Sequence, residues 1–272
     1  MARPRRSRFA AKAGQSARIR PSVRDNPTMR VALLLAVGIL SGGCGGDTTR
    51  PGPTQSPVRV LMVTTTAGFR HDSIPAARDS VASLANQNGF TVTATEDLST
   101  VSSTGLAGYD VLFFALTSGE LALDGNQKAA LLAFVSGGRG FIGTHSATDT
   151  LHDWPEYGRL VGAYFKEHPW TRSGTVVVED PAHETAAGLG GRFDIVEEFY
   201  AFSDNPRPRV HVLLRLDAAS VGGSGDYPLA WSSSYGSGRV YYNALGHFAE
   251  TWQDPRFQRQ IAAAIRWAAG KP

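Results

Sequence analysis

In the stretch "GTHSATDTLHDWP", residues 143–155, His145 lies two residues after Gly143 and two before Ala147. It follows the short apolar run "GRGFIG" and reads as a strand turning sharply into a helix. Small residues two before and two after a central residue are the spacing by which α/β enzymes expose a Ser or Cys nucleophile on a tight turn. An imidazole in that place supplies no thiol or hydroxyl for attack, but it can move a proton or hold a metal. With a helix starting near His145, Asp149 falls one turn on and His152 two turns on, along one face. A carboxylate one turn away orients an imidazole and raises its pKa. Asp149 is therefore expected to orient His145. An isolated histidine is more often a buried residue satisfied by backbone. The small-residue turn and a second histidine on a converging loop favour function here.

The other candidates lie on segments that end strands. The loop "AGFRHDS" offers Arg70, His71 and Asp72, and "NALGHF" offers His247. "FKEHPW" contributes His168 and Trp170. In "FDIVEEFYAF", period-two alternation places Asp194, Val196, Glu198 and Tyr200 on one face, and Phe193, Ile195, Glu197 and Phe199 on the other. Glu198 with Tyr200 is the more site-like pair. Arg70, Asp72, His168, Trp170 and Tyr200 are candidates for substrate contact. His71, His145, Asp149, Glu198 and His247 are candidates for catalysis. His183 and His211 read as surface-loop and strand residues, and Trp154, Trp231 and Trp252 as core.

The elements that must position these residues alternate. "VRVLMVTTTA" is a buried-strand pattern. A helix follows, with Ser73 as N-cap, Pro75 in its first turn and Ile74, Ala77, Val81, Leu84 and Ala85 at helical spacing, ended by Asn88 and Gly89. "FTVTAT" and "YDVLFFAL" are strands, residues 126–136 a helix and "RGFIGT" a strand. This alternation argues for a parallel sheet with helices on both faces. In an open doubly wound sheet the loops at the C-terminal strand ends meet at one edge, where ligands bind. Three loops should converge there: "AGFRHDS", "TSGE" and the segment with His145. After residue 170 the texture turns to strands: "SGTVVVED", "FDIVEEFYAF", "RVHVLLRLD" and "PLAWSSSYGSGRVYYNALGH", the last with a hairpin turn at residues 235–238. A helix over 255–269 closes the pattern. Residues 58–270 form one domain.

Charge is unevenly placed. Residues 1–30 hold nine Lys or Arg and one acid, Asp25, so a chain total of +3 leaves about −5 for the remainder. No basic run lies in the folded part, which argues against a nucleic-acid partner. The basic start reads as a leader, residues 1–43, with Met29 as an alternative start. Its apolar core over 31–40 is about half of the ~20 residues that a bilayer span needs. Ser41, Gly42 and Gly43 then precede Cys44, the one cysteine of the chain. This resembles a bacterial lipoprotein signal, with Cys44 lipidated and the domain exported and held on the cell envelope. Residues 44–57, lipidated Cys44 followed by "GGDTTRPGPTQSP", read as the anchor and a flexible tether. One cysteine excludes a disulfide framework and a thiolate metal cluster.

The motifs "TAGFRHDSIP", "GTHSATDT", "WPEYGRLVGAYFKEHPW", "EEFYAF", "PLAWSSSYGSGRVYYNALGH" and "DPRFQRQIAAAIRWA" together resemble the ThuA-like, trehalose-utilisation family, over nearly all of residues 58–270. The resemblance implies the class I glutamine amidotransferase-like fold, a flavodoxin-like α/β sandwich. His145 then stands where those enzymes carry cysteine, which excludes a thioester and amidotransferase activity. The family implies catabolism of trehalose and related disaccharides through 3-keto sugars made by a partner oxidoreductase. On that analogy a carbohydrate substrate loses a proton next to a carbonyl. His145 would be the base, His71 or His247 would polarise the carbonyl or protonate the leaving oxygen, and Glu198 would share the work. His71, His145, Glu198 and His247 also make an N/O ligand set for Zn²⁺ or another divalent ion. No paired histidines at i and i+4 support it, so the cofactor stays open. A non-catalytic carbohydrate-binding lipoprotein is the alternative.

Overall fold

The computed structural model describes residues 56–271. The leader, Cys44 and nearly all of the tether expected up to residue 57 lie outside the described residues.

The first half alternates strand and helix. Strand β1 (Val58–Val63) leads to helix α1 (Ile74–Asn88) and strand β2 (Phe90–Thr95). The short helix α2 (Ser103–Leu106) precedes β3 (Val111–Ala115). Helix α3 (Gly125–Ser136) and β4 (Gly140–Thr144) follow, then helix α4 (Pro155–Val161). β3 and β4 are buried at every position, the pattern of strands covered on both faces. Local chemistry sets the helix ends. Asp124 and Gln127 form a reciprocal capping box on α3, and Gly89 ends α1 in the left-handed conformation. Ser73 occupies the cap position of α1 but does not cap it; its hydroxyl donates to the Gly246 carbonyl at 3.1 Å. The tertiary partner outcompetes the local one.

The second half is mostly strand: β5 (Phe165–Val178), β6 (Arg192–Phe202), β7 (His211–Leu216), β8 (Tyr227–Tyr235) and β9 (Gly238–Asn243). Helices α5 (Ala249–Gln253) and α6 (Pro255–Ala268) complete it. β5 begins at Phe165, so "FKEHPW" is strand and the strand-rich region starts earlier than its texture suggests. The nine strands form one sheet in the order β2-β1-β3-β4-β9-β8-β7-β5-β6. It is parallel from β2 through β9 and antiparallel from β9 to β6. The turn between β8 and β9 falls at the expected hairpin, with Tyr235 paired to Gly238. α6 turns Phe257, Ile261, Ala264, Ile265 and Ala268 inward, the stripe expected of a helix lying on a sheet.

The order puts the C-terminal ends of β1, β3, β4 and β9 side by side. The segments leaving β1, β4 and β9 carry His71, His145 and His247. The β5–β6 arm folds back so that β5 touches the turn after β4, which brings β6 over the same edge.

Candidate functional site

The turn after β4 is built around His145. Its φ is +50°, a left-handed value that costs a non-glycine residue of order 1 kcal/mol or more. Several bonds hold it there. His145 Nδ1 lies 2.9 Å from the Ala244 carbonyl, and the His145 carbonyl accepts from the Tyr242 hydroxyl at 2.7 Å. The flanking small residues are needed sterically: a Cβ on Gly143 would sit 3.1 Å from that of Ala147 and 3.2 Å from the Tyr242 ring. His145 is fully buried from solvent beneath the pocket floor.

A carbonyl only accepts, so His145 Nδ1 carries the proton and Nε2 presents a lone pair. Burial raises the Tyr200 phenol far above its ordinary pKa, so it keeps its proton and, with no ion bound, donates to that Nε2 at 2.9 Å. His145 Nε2 also lies 3.3 Å from His247 Nδ1 and 3.5 Å from Glu198 Oε2. His247 Nδ1 is 3.1 Å from the same carboxylate oxygen. The ring of His71 stands edge to face with those of His145 and His247, centroids 4.6 and 5.2 Å away. One ligand atom from each of His71, His145, Glu198 and His247 lies within 4.8 Å of the others.

The electrostatics explain why these groups tolerate each other. Burial, then the charges of His145 and His247, lower the His71 pKa to about 3, so it is neutral at physiological pH. Burial alone would raise Glu198, but hydrogen bonds and charge from His145 and His247 hold its carboxyl well below the usual range. The hydrogen bond to Glu198 raises His247 against the effect of its own burial. A carboxylate and converging imidazole lone pairs repel unless a cation sits among them, either a shared proton or a metal. The donor set fits a metal. Zinc bonds of about 2.0–2.2 Å put tetrahedral ligand atoms roughly 3.3–3.6 Å apart. Three of the contacts here are 3.1, 3.3 and 3.5 Å. The Ala244 carbonyl on Nδ1 is the kind of outer partner that fixes a metal-binding tautomer.

The pocket above the cluster has a volume of about 390 Å³ and is lined by Phe69, His71, Ser146, Asp149, Phe165, His168, Glu198, Tyr200 and His247. His168 reaches Glu198 Oε1 at 3.5 Å. Four sequence expectations are corrected. Asp149 does not orient His145: it pairs with His152 Nε2 at 3.2 Å, and the Ala244 carbonyl holds the imidazole. The segment His145–Asp149 is a 3-10 helix, in which i and i+4 no longer share a face. Asp149 still lines the pocket, and burial raises its pKa against the charges of His152 and His145. Trp170 packs edge to face on Tyr227, centroids 5.1 Å apart, and is not part of the pocket wall. Arg70 turns away to Glu96 at 2.8 Å, while Asp72 is exposed and reaches the site only through its charge on His247.

Glu197 was missed. Alternation put it on the face away from Glu198, and it does point away, into full burial. There it accepts from the backbone N–H groups of Glu198 (3.0 Å), Gly246 (2.9 Å) and His247 (3.3 Å), and from the Thr251 hydroxyl. Neighbouring carboxylates on β6 thus grip one loop, Glu198 at the His247 ring and Glu197 at its backbone. The signal available in sequence was an acid amid Phe193, Ile195 and Phe199: a charge on an apolar face needs a partner.

A family model described as ThuA, trehalose utilisation, matches residues 59–268. No curated protein matches the chain. Among solved structures, a ThuA-like protein of Bacteroides uniformis superposes with a TM-score of 0.69 at 23% identity, covering 79% of this chain and 93% of that one. A ThuA-like protein of Parabacteroides merdae gives 0.66 at 19%, covering 79% and 91%. A β-galactosidase of Bacillus circulans gives 0.53 at 16%, covering 80% of this chain and 32% of its own. At these identities the likeness is one of fold.

Proposed function

Because the chain belongs to the ThuA trehalose-utilisation family, we propose that it acts on a carbohydrate, in the breakdown of trehalose-like or 3-keto disaccharides, by acid–base chemistry. The observation that carries the reading is the convergence of His71, His145, Glu198 and His247 within 4.8 Å under a pocket of about 390 Å³. That volume lies in the range of small-ligand sites. The parallel half is read as a flavodoxin-like doubly wound sandwich. Supporting this, β1 has β2 on one side and β3 on the other, so the strand order reverses between β1 and β3, where such sheets bind ligands.

His71, His145, Glu198 and His247 would hold a divalent ion, which when bound supplies a Lewis acid for a sugar carbonyl or hydroxyl. The chain's own groups do the rest. The Ala244 carbonyl keeps the His145 ring in the tautomer that leaves Nε2 for the ion. Asp149 lines the pocket with a raised pKa and is suited to take a proton from the carbon beside a carbonyl. His168, on the pocket wall and outside the ligand set, is placed to return one to the departing glycosidic oxygen. A partner oxidoreductase would supply the keto sugar. The proposal places the domain on the cell envelope through lipidated Cys44, on the strength of the signal-like segment before it.

Elemental analysis of the purified protein, then incubation with a panel of 3-keto disaccharides before and after chelation, tests the reading. Metal near one equivalent and turnover lost with the metal are expected. Sugar binding without turnover would leave the carbohydrate-binding lipoprotein in its place. Glutamine hydrolysis is not expected, since His145 stands where the thiol would be.

A further inference from the structure

Phe69 is unlike the other large apolar side chains of the domain. It is 64% exposed, and among the described residues only Val196, at 57%, is comparable. A single exposed apolar residue needs no explanation. Phe69, however, forms part of the pocket wall with Phe165 and His168, beside the histidine cluster. Its ring also packs edge to face on His71, centroids 4.8 Å apart and planes at 78°.

The backbone beneath it is laced to two other loops. The Ser118 hydroxyl donates to the Phe69 carbonyl, and Ala67 and Gly68 donate to the Ser118 carbonyl at 2.8 and 3.2 Å. Gly119, at φ +72°, lets this happen, because a Cβ there would lie 2.4 Å from the Gly68 nitrogen. Gly119 in turn donates to the Asp149 carbonyl at 2.7 Å. The segments after β1, β3 and β4 are thus tied together under an aromatic ring that stays largely in water. That is how a contact surface is preorganised, since a rigid aromatic loses little conformational freedom on binding.

The lining chooses among ligands. Asp149, a wall carboxylate outside the ligand set, repels phosphates and carboxylates, which disfavours nucleotides and acidic metabolites. Phe69 and Phe165 offer apolar faces without hydrogen-bonding tips, beside the polar ends of Asp149 and His168. A neutral ligand with an apolar face and a hydroxylated rim matches this, and a pyranose ring has that form. We propose that Phe69 is a stacking platform for a sugar ring of the substrate and a specificity-determining residue of the pocket. This rests on the carbohydrate reading above.

The test uses wild type, Phe69→Ala and Phe69→Tyr, with Val196→Ala as an exposed apolar control. Calorimetric binding of trehalose and steady-state turnover of 3-keto-trehalose are measured on each. Phe69→Ala should weaken binding and raise KM by roughly three- to tenfold, the worth of an aromatic contact, with kcat nearly unchanged. Phe69→Tyr should bind as wild type, and all variants should keep the wild-type urea midpoint. If wild type handles the sugars and Phe69→Ala does so equally well, the platform is overturned while the carbohydrate reading survives. If wild type neither binds nor converts either sugar, both fall together.

Discussion

Replacing Glu197 by glutamine tests whether this buried carboxylate holds the His247 loop. Its two oxygens accept four donors: the N–H groups of Glu198, Gly246 and His247, and the Thr251 hydroxyl. Among the described residues no Lys or Arg pairs with it, and these four donors are its hydrogen-bond partners. Glutamine keeps one acceptor oxygen and adds an NH₂ group. With the amide oxygen toward Glu198 and His247, two bonds persist. The NH₂ then faces Thr251, which can rotate to accept, and the Gly246 N–H, which cannot. One buried backbone donor is left facing another donor, at a cost of about 1–3 kcal/mol. Loss of charge assistance in the remaining bonds pushes the value toward the upper end. With a urea m-value of about 2 kcal/mol/M, the midpoint should fall by roughly 0.5–1.5 M. Thr251→Val removes one donor and leaves the carboxylate three, so it should cost only about 1 kcal/mol. The two substitutions should not add, because they share a bond. A loss below about 0.5 kcal/mol for Glu197→Gln, the range of ordinary surface changes, would refute the argument.

The remaining expectations concern chemistry, pH and location. His145→Ala should lower the bound metal and reduce turnover of a 3-keto disaccharide by at least the roughly 10- to 100-fold that loss of a ligand's outer partner costs, with circular dichroism unchanged; undiminished turnover would remove His145 from the mechanism. His71 has its folded pKa lowered to about 3 from an ordinary 6.5. Between those values the unfolded chain binds more protons, so this group makes stability fall as pH drops through that window. In chelator, urea midpoints from pH 7 to 4 should therefore decline less steeply for His71→Asn than for wild type, and parallel declines would contradict it. Cys44→Ala should abolish labelling by a palmitate analogue that marks wild type, and equal labelling would dismiss the anchor.

Much of the fold was legible locally. The apolar runs at β1, β3 and β4, the Asn88–Gly89 stop and the turn at residues 235–238 are written in side-chain periods and backbone freedoms that act over a few residues. The site was partly legible for the same reason. Parallel strands put their C-terminal loops at one edge, so His71 and His145 had to be neighbours once the alternation was read. Period two alone separated Glu198 and Tyr200 from Glu197. What tertiary structure decided was every pairing that depends on long-range register. Asp149 went to His152 because the turn tightened to 3-10 geometry, under bonds from Ala244 and Tyr242, about a hundred residues away in sequence. Trp170 left the site because β5 runs on as strand to pack it on Tyr227. Glu197 acquired its role from Gly246, His247 and Thr251, donors that come within reach only when the β5–β6 arm closes over the sheet edge. Local pattern specifies which face a side chain takes; which neighbour it meets there depends on how distant strands pair and curl, and no short-range period encodes that.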